Sequence, residues 1–259
     1  MIPYYADEFV TLYHGDCLDV VPELAERSVD AVVTDPPYSS GGRRENARSL
    51  RRSMNRSMTD EDWIAGDSMS TGGFVWMMRA LAVRAKSTLK PGGHFLAFID
   101  WRMYPNLAGA LESADYRQHP TLVWDKAHFG MGVVFRNQHE WVVHFSNGNP
   151  AAPARRDVGN VLRCPPVRDG DHPTEKPVGL MGSLLSVVAS VGGAVLDPFC
   201  GAGSTLAAAK MLGRKAVGVE IDERFCEVTA KRVQADPLPF HQIEPPVETG
   251  VLFETDGAA

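Results

Sequence analysis

Short apolar runs that alternate with helical patterns are the feature of this sequence that most constrains its fold. The apolar runs are rich in β-branched residues and lie at 11–16, 30–35, 93–100, 194–197 and 215–221. Apolar residues recur at helical spacing in 74–90, 179–191 and 204–213. Strands and helices in this order build a parallel sheet with helices on both faces. We therefore predict an α/β fold on a mostly parallel twisted sheet.

The middle of the chain departs from this alternation. Residues 116–126 and 140–148 are typical of an antiparallel hairpin, and the Pro-Gly-Gly at 91–93 is expected to end the helix before it. Residues 39–73 are polar and rich in Arg and Ser, whereas 147–173 are rich in Pro and Gly. Irregular segments of this length are usually either functional or disordered. Both interpretations stay open for residues 39–73 and 147–173.

Composition limits the class of protein. The 259 residues are 44% hydrophobic and 22% charged, which is enough to bury one core, or one core with a small appendage. The 4 cysteines form no CxxC pair and the 8 histidines show no ligand spacing, so neither a disulfide framework nor a metal site is expected. No apolar run approaches the roughly 20 residues of a membrane span. We expect a cytoplasmic protein.

Charge is distributed unevenly along the chain. The net charge is −6, but residues 42–56 hold six arginines against one acid. Residues 236–259 hold five acids and no Lys or Arg. The overall negative sign therefore hides a basic patch that suits a polyanion.

A glycine-rich turn follows one predicted strand in the stretch AVLDPFCGAGSTLAAAK, residues 194–210. Gly201 and Gly203 have no side chain that would keep a ligand away from the backbone. A helix that starts at Ser204 offers unpaired N–H groups to an anionic or polar ligand. About twenty residues on, Glu220 closes the next strand, where a carboxylate can accept ribose hydroxyls. This pattern alone also fits a nicotinamide or flavin site; Asp197 before the glycines favours S-adenosylmethionine.

Four motifs together resemble a known family. They are DPPY (35–38), HPTEKPVGL (172–180), DPFCGAGST (197–205) and VGVEID (217–222). They resemble the amino-methylating N6-adenine/N4-cytosine DNA methyltransferases, specifically the circularly permuted (β) subgroup in which DPPY precedes the cofactor turn. The resemblance spans residues 11 to 233 and implies a Rossmann-like methyltransferase fold, S-adenosylmethionine and double-stranded DNA.

The resemblance implies a cofactor site. Its expected members are Asp16, Cys17, Asp35, Thr174, Lys176, Asp197, Phe199, Gly201, Gly203, Ser204, Thr205, Glu220 and Ile221. Asp16 would bind the adenine amino group, Glu220 the ribose, and Thr174 with Lys176 the methionine end. An exposed lysine at a helix start is the alternative for Lys176. The sequence has GAGST where GSGTT is the commoner form in the family. This change keeps both glycines and two hydroxyl groups.

The DPPY motif gives the chemistry. The Asp35 carboxylate and the Pro36 carbonyl would grip an exocyclic amine, Pro36 and Pro37 would hold the turn rigid, and Tyr38 would stack on a flipped-out base. No covalent intermediate is needed, so Cys164 and Cys200 are interpreted as structural. Because the motif begins with Asp, N6-adenine is preferred and N4-cytosine is the alternative. The expected activity is a site-specific DNA methyltransferase.

Two segments are candidates for contacting DNA. The expected residues are Arg43, Arg44, Arg48, Arg51 and Arg52 in the first, and Arg136, Asn137 and Gln138 in the second. Arg, Asn and Gln read base edges, and Arg neutralises phosphates. A solvated disordered loop and a polar hairpin are the respective alternatives.

This interpretation divides the chain into six parts. They are a first catalytic segment (1–38), an Arg-rich loop (39–73), the rest of the catalytic domain (74–146), a short target-recognition segment (147–171), a cofactor-binding part (172–235) and an acidic Pro-rich tail (236–259). A homodimer and a separate restriction endonuclease are the further partners expected. A catalytically inactive DNA-binding protein, or an enzyme acting on RNA or protein glutamine, are the competing functions.

Overall fold

The computed structural model describes residues 1–37, 69–130, 132, 134–167, 175–235 and 248–249. Eleven strands in these ranges form one sheet. Among the same residues, no helix has both the length and the apolar character needed to cross a bilayer.

The strands and helices alternate through most of the chain. The strands are β1 Tyr5–Ala6, β2 Val10–His14, β3 Val29–Thr34, β4 Leu89–Ile99, β5 Arg117–Gln118, β6 Leu122–Asp125, β7 His139–Ser146, β8 Val161–Arg163, β9 Ala194–Asp197, β10 Lys215–Glu220 and β11 Glu248–Thr249. The helices are α1 Cys17–Val20, α2 Thr71–Thr88, α3 Tyr104–Ser113, α4 Val178–Val188, α5 Ser204–Met211 and α6 Glu223–Gln234. A 3-10 turn, Val21–Glu23, follows α1.

Ten of the eleven strands have the order β1-β2-β10-β9-β3-β4-β7-β6-β8-β11, and β5 pairs antiparallel with β7. The five neighbours β2, β10, β9, β3 and β4 are parallel to one another. On the far side, β7 runs antiparallel to both β4 and β6, as the predicted hairpin requires. The α/β class and the mostly parallel sheet predicted from the sequence are thus confirmed.

Helices cover both faces of the sheet because alternate strand residues point to opposite sides. Val32 of β3 packs in a cluster with α2 and α3, whereas its neighbours Ala31 and Val33 pack in a second cluster with α4 and α5. In β4, Phe95 and Phe98 divide between the same two clusters. The two layers hold the parallel strands between them.

The start of β4 differs from the sequence-based prediction. The strand begins at Leu89, directly after α2, and runs through Pro91 rather than starting at Gly93. The register against β3 shifts after the Val29–Leu89 pair, and this irregularity accommodates the proline. Gly92, with a φ of 78°, donates its N–H to the carbonyl of Asn147.

Two of the predicted parts contribute strands to the main sheet. In the 147–171 segment, β8 pairs in parallel with β6. In the tail, β11 pairs antiparallel with β8. Both segments therefore extend the sheet beyond the hairpin.

The carboxyl ends of the five parallel strands meet at one edge of the sheet, and each strand ends at or just before an acid. These acids are Asp16 after β2, Asp35 after β3, Asp100 after β4, Asp197 in β9 and Glu220 in β10. Clefts at this edge are the usual ligand sites of open α/β sheets.

Candidate active site

A cavity of about 420 Å³ opens at the carboxyl edge. Many of the residues predicted from the sequence line it: Asp16, Cys17, Asp35, Pro36, Pro37, Lys176, Asp197, Phe199, Gly201, Ser204, Thr205, Glu220 and Ile221. The volume is in the usual range for small-molecule sites. The fold thus brings together segments that lie up to two hundred residues apart in the sequence.

Some predicted residues fall elsewhere. Tyr38, Thr174, Arg43, Arg44, Arg48, Arg51 and Arg52 lie outside the described residues. Gly203 does not line the cavity; it lies next to it, at the cap of α5.

The turn between β9 and α5 is held in a conformation that glycine favours. Gly201 and Gly203 have φ values of 50° and 81°. A Cβ on Gly203 would lie 2.8 Å from the side chain of Thr229 in α6, and Thr229 Oγ1 donates to the carbonyl of Gly201 at 2.7 Å. The turn is therefore packed against α6, and no side chain at the Gly203 cap satisfies the first N–H groups of α5.

Asp197 is buried behind this turn and is fully engaged. Its Oδ1 accepts hydrogen bonds from Thr34 Oγ1 (2.7 Å) and the Phe199 amide (3.2 Å), and its Oδ2 accepts from Thr205 Oγ1 at 2.5 Å. Burial raises the pKa of Asp197 to about 6, although these hydrogen bonds oppose the shift. The carboxyl group thus ties β9 to β3 and to α5.

Glu220 closes β10 with both oxygens oriented by backbone amides. Its Oε2 accepts from Gly201 N and its Oε1 from Asp222 N, each at 2.9 Å. Burial raises the pKa of Glu220, against the opposing effect of these two bonds. Each oxygen keeps a second lone pair that a ligand hydroxyl can use.

Asp16 and Cys17 form the start of α1. Asp16 caps the helix by accepting from the Leu18 amide at 2.8 Å. Burial raises the pKa of Cys17 to about 12 and that of Cys200 well above its ordinary value. Because neither thiol ionises near neutral pH, both are poor nucleophiles. This agrees with the structural interpretation of Cys200.

Asp35 and Lys176 form a buried ion pair. Lys176 Nζ lies 2.5 Å from Asp35 Oδ2 and 3.6 Å from Glu140 Oε2. Since only 7% of the Lys176 side chain is exposed, the alternative of an exposed lysine is wrong. Asp35 Oδ1 is buried and has no hydrogen-bond partner among the described residues. Burial raises the pKa of Asp35. The positive charge of Lys176 partly offsets this rise, and the negative charge of Glu140 adds to it.

Sequence reasoning missed several cavity residues. Trp76 and Met77 of α2, Glu175, and Phe225 of α6 also line the cavity. The buried Glu175 pairs with Arg232 at 2.7 Å, and Arg232 also donates to Ser204 Oγ at 3.1 Å. The aromatic residues occur in otherwise ordinary amphipathic helices, so only their position in the fold identifies them.

The described cavity wall carries more carboxyl groups than basic groups, although Glu175 and Asp222 pair with Arg232 and Arg224 outside the lining. Its ionisable carboxylates are Asp16, Asp35, Glu175, Asp197, Glu220 and Asp222, whereas Lys176 is its only Lys or Arg among the described residues. Such a wall attracts a ligand that carries positive charge and repels a pyrophosphate. This favours S-adenosylmethionine, with its sulfonium and ammonium groups, over a nicotinamide or flavin dinucleotide.

The hairpin loop between β6 and β7 holds the second set of predicted DNA contacts. Arg136 donates to the carbonyl of Gly130 at 2.9 Å and stacks over the Phe129 ring at 5.6 Å. Gln138 donates from its side chain to Asp125 Oδ1 at 2.8 Å, while Asn137 accepts from the Gly130 amide through its carbonyl. These bonds fit the polar-hairpin alternative; the DNA contacts stay a prediction.

Comparison with known proteins extends these observations. Residues 29–232 match the family model N6_N4_Mtase, described as DNA methylase. The chain is 22% identical over 267 residues to the type II methyltransferase M2.MboI of Moraxella bovis, an alignment that covers 94% of this chain and 92% of the relative.

Two solved structures share the fold. The M1.HpyAVI–SAM complex has a TM-score of 0.60 at 21% identity, covering 86% of this chain and 99% of that one. The PvuII DNA methyltransferase, described as cytosine-N4-specific, has a TM-score of 0.71 at 16% identity, covering 93% of this chain and 92% of that one. The Rossmann-like methyltransferase fold expected from the sequence is confirmed.

The raised pKa of Asp197 predicts a stabilising substitution. A folded-state pKa of about 6, above the ordinary 3.8, means that the carboxyl group stabilises the fold below pH 3.8 and that this stability is lost as pH rises through 6. Asp197→Asn stays neutral, its Oδ1 can still accept from Thr34 and Phe199, and its amide group can donate to Thr205 Oγ1 instead of accepting from it. We therefore expect it to raise the free energy of unfolding at pH 8 by about 1–2 kcal/mol. The gain should shrink as the pH falls to about 4. Urea titrations at both pH values measure it.

Asp7→Asn is the control of opposite sign. Burial would raise the pKa of Asp7, but hydrogen bonds from Lys210, Val10, Tyr5 and Phe9 lower it to about 2. Its ionised form therefore stabilises the fold at pH 8, and Asp7→Asn should lower the free energy of unfolding there. If both variants shift stability in the same direction, the account of Asp197 is wrong.

The turn itself is tested by Gly203→Ala. We expect a loss of about 2–3 kcal/mol in the free energy of unfolding, because alanine disfavours φ 81° and its Cβ meets Thr229. Gly192→Ala is the matched control, since Gly192 has a φ of 76° and no atom within 4 Å of an added Cβ. It should cost only about 1 kcal/mol of backbone strain. Equal losses in the two variants would contradict the packing of the turn against α6.

Proposed function

This chain belongs to the N6_N4_Mtase family of DNA methylases, and from that premise we propose that it transfers a methyl group from S-adenosylmethionine to the N6 amino group of an adenine in double-stranded DNA. The geometry at Asp35 is the observation that carries the proposal. Its carboxylate lines the same cavity as the glycine turn and Glu220. An acceptor for an amine and a nucleoside-binding wall thus share one cavity.

The described residues fit the cofactor. Bound S-adenosylmethionine supplies a methyl group on a positively charged sulfur that a nucleophile can attack in line. Glu220 would accept hydrogen bonds from the ribose hydroxyls, and Asp16 would accept one from the adenine amino group. The glycine turn at Gly201 would allow the backbone to lie close to the cofactor. The acidic wall complements the positive charges. The solved M1.HpyAVI–SAM complex, which shares the fold, supports the same cofactor here.

Asp35 activates the acceptor nitrogen in this proposal. The lone pair of an exocyclic amine is delocalised into the base ring, and acceptors that hold both amino hydrogens favour a tetrahedral nitrogen. Asp35 Oδ1 and the carbonyl of Pro36 would be those acceptors, held in place by the rigid Pro36–Pro37 turn. As the new N–C bond forms, the C–S bond breaks with its electron pair on sulfur, and the nitrogen releases one proton to Asp35 Oδ1.

DNA must present the base outside the helix for this geometry. A stacked base cannot enter a cavity of this kind, so we propose base flipping, with Tyr38 stacking on the extruded base. The arginines at 43–52 and the loop residues 136–138 would then contact the duplex.

The choice of base rests on the sequence. The motif at 35–38 begins with Asp, which favours N6-adenine. The fold shared with the cytosine-N4-specific PvuII enzyme keeps N4-cytosine as the second candidate. The order of the motifs, with 35–38 before 197–205, supports the circularly permuted subgroup.

We also propose a cellular setting. M2.MboI is a type II methyltransferase, and this supports a role for the present chain as the modification enzyme beside a separate restriction endonuclease. A homodimer stays a prediction.

Mass spectrometry of nucleosides tests the proposal. Unmethylated DNA incubated with the protein and isotope-labelled S-adenosylmethionine should yield labelled N6-methyladenine. Asp35→Asn keeps the side-chain shape but removes the acceptor charge, so it should lower the transfer rate about 10²–10³-fold. Labelled N4-methylcytosine would overturn the choice of base, and cofactor binding without any transfer would favour a non-catalytic DNA-binding protein.

Asp100→Asn is the matched control for Asp35→Asn. Asp100 follows the neighbouring strand β4 and accepts from the Arg102 and Met103 amides at 3.0 and 2.8 Å, which asparagine can also do. It does not line the cavity. The rate of this variant should stay within about twofold of the parent.

A further inference from the structure

We propose that Lys126 and Glu140 are positioning residues that hold Lys176 between two carboxylates and thereby keep the catalytic oxygen of Asp35 free. The inference rests on the function proposed above, since it concerns how Asp35 is tuned for that reaction. The four side chains Lys126, Glu140, Lys176 and Asp35 are called the charge row below.

The charge row alternates in sign along its length. Lys126 Nζ contacts Glu140 Oε1, Glu140 Oε2 lies 3.6 Å from Lys176 Nζ, and Lys176 Nζ lies 2.5 Å from Asp35 Oδ2. Two positive and two negative groups give a net charge of zero. The row therefore places opposite charges at every step, and its side-chain exposure falls from 29% at Lys126 to 7% at Lys176.

The β6–β7 hairpin builds the far half of the row. Trp124 of β6 pairs with Glu140 of β7, and the amide of Lys126 donates to the carbonyl of Gln138 at 2.9 Å. Lys126 and Glu140 therefore reach each other through the hairpin register. Neither residue is among the described lining of the cavity, so both act on Asp35 from behind its wall, by contact with Lys176 and by their own charges.

Two aromatic rings form a wall beside the row. Lys176 Nζ lies 5.1 Å from the centre of the Phe98 ring and 5.8 Å from that of Trp124, and Lys126 Nζ lies 4.9 Å from Trp124. Trp124 is fixed in turn, because its indole N–H donates to the carbonyl of Cys164 at 2.7 Å. The ring faces attract both ammonium groups.

The consequence is a shared ammonium group. Glu140 attracts Lys176 away from Asp35, and Lys126 weakens that attraction by neutralising Glu140. Removal of Glu140 would take away the carboxylate that competes with Asp35 for Lys176, whereas removal of Lys126 would strengthen the attraction between Glu140 and Lys176. The two changes should therefore act on Asp35 in opposite directions.

The charged groups that act on Asp35 are known for the described residues. Lys176 and Lys126 lower the pKa of Asp35, Glu140 raises it together with burial, and Asp197 repels Asp35 from the β9 side. Burial would lower the pKa of Lys176, but the two carboxylates raise it, so this residue stays charged. The pKa of Glu140 is lowered because Lys176 and Lys126 outweigh its burial.

Carbon-13 NMR of the Asp35 carboxyl group tests the inference without DNA or cofactor. The protein is labelled at aspartate, Asp35→Asn assigns the signal, and the titration midpoint is measured in the parent, Glu140→Gln and Lys126→Met. We expect the midpoint to fall by about one pH unit in Glu140→Gln and to rise by about one in Lys126→Met. Lys126→Arg should restore the parent midpoint.

A purely structural role for the row would give a different result. Midpoints that move in the same direction, or not at all, would overturn the inference. If Glu140→Gln does not fold, Lys126→Met decides alone, because an unmoved midpoint there overturns it too. Lys90→Met is the matched control: it breaks the Lys90–Asp30 pair of 2.7 Å at the opposite edge of the sheet and should lower stability without moving the Asp35 midpoint.

The pH dependence of single-turnover methyl transfer separates this inference from the proposed function. The acid limb of the rate profile should move in the same directions as the two midpoints, while the Kd for S-adenosylmethionine from calorimetry stays within about threefold of the parent. Opposite midpoints with no transfer to any DNA would keep the charge row and overturn the proposed function. Transfer with unmoved midpoints would do the reverse.

Discussion

The parallel register of five strands is the constraint on which the rest of the structure depends. Because β2, β10, β9, β3 and β4 run in one direction, their carboxyl ends lie at one edge. Each contributes an acid there, and four of these five acids line the cavity. An antiparallel arrangement would have divided them between two edges. The helices serve this arrangement by covering both faces, so that only the edge remains open to a ligand.

Burial of carboxyl groups at this edge sets function against stability. Asp197 and Asp35 both have raised pKa values because burial disfavours their charged forms. Hydrogen bonds from Thr34 and Thr205 offset part of the desolvation cost of ionised Asp197, and the ion pair with Lys176 does the same for Asp35. A fold selected for stability alone would place apolar residues at such positions. The clustering of buried acids is therefore itself an argument that the cavity is functional.

The sequence predicted the fold class and most of the cavity because both depend on local patterns. Strand runs, glycine turns and acids at strand ends are visible within windows of ten residues, and the parallel register then brings them together. Trp76, Phe225, Glu140 and Lys126 were missed because their roles depend on tertiary contacts. Glu140 is one polar residue at the start of a strand, and nothing near it in sequence indicates that it meets a lysine 36 positions later. The start of β4 was missed because a Pro-Gly-Gly ordinarily ends regular structure, whereas here a register shift absorbs it.

The hydrogen bond between Thr34 and Asp197 joins residues that are 163 positions apart. The strands that carry them, β3 and β9, are neighbours in the centre of the sheet. During synthesis the chain emerges from its amino terminus, so β3 and Asp35 exist long before their central partner is made. Closing so long a loop is slow, because its entropic cost comes before the stabilising contacts between β3 and β9 can form. A nascent chain therefore exposes an unpaired edge of β3 until β9 is translated, and the cavity forms only after β9 and β10 have been made.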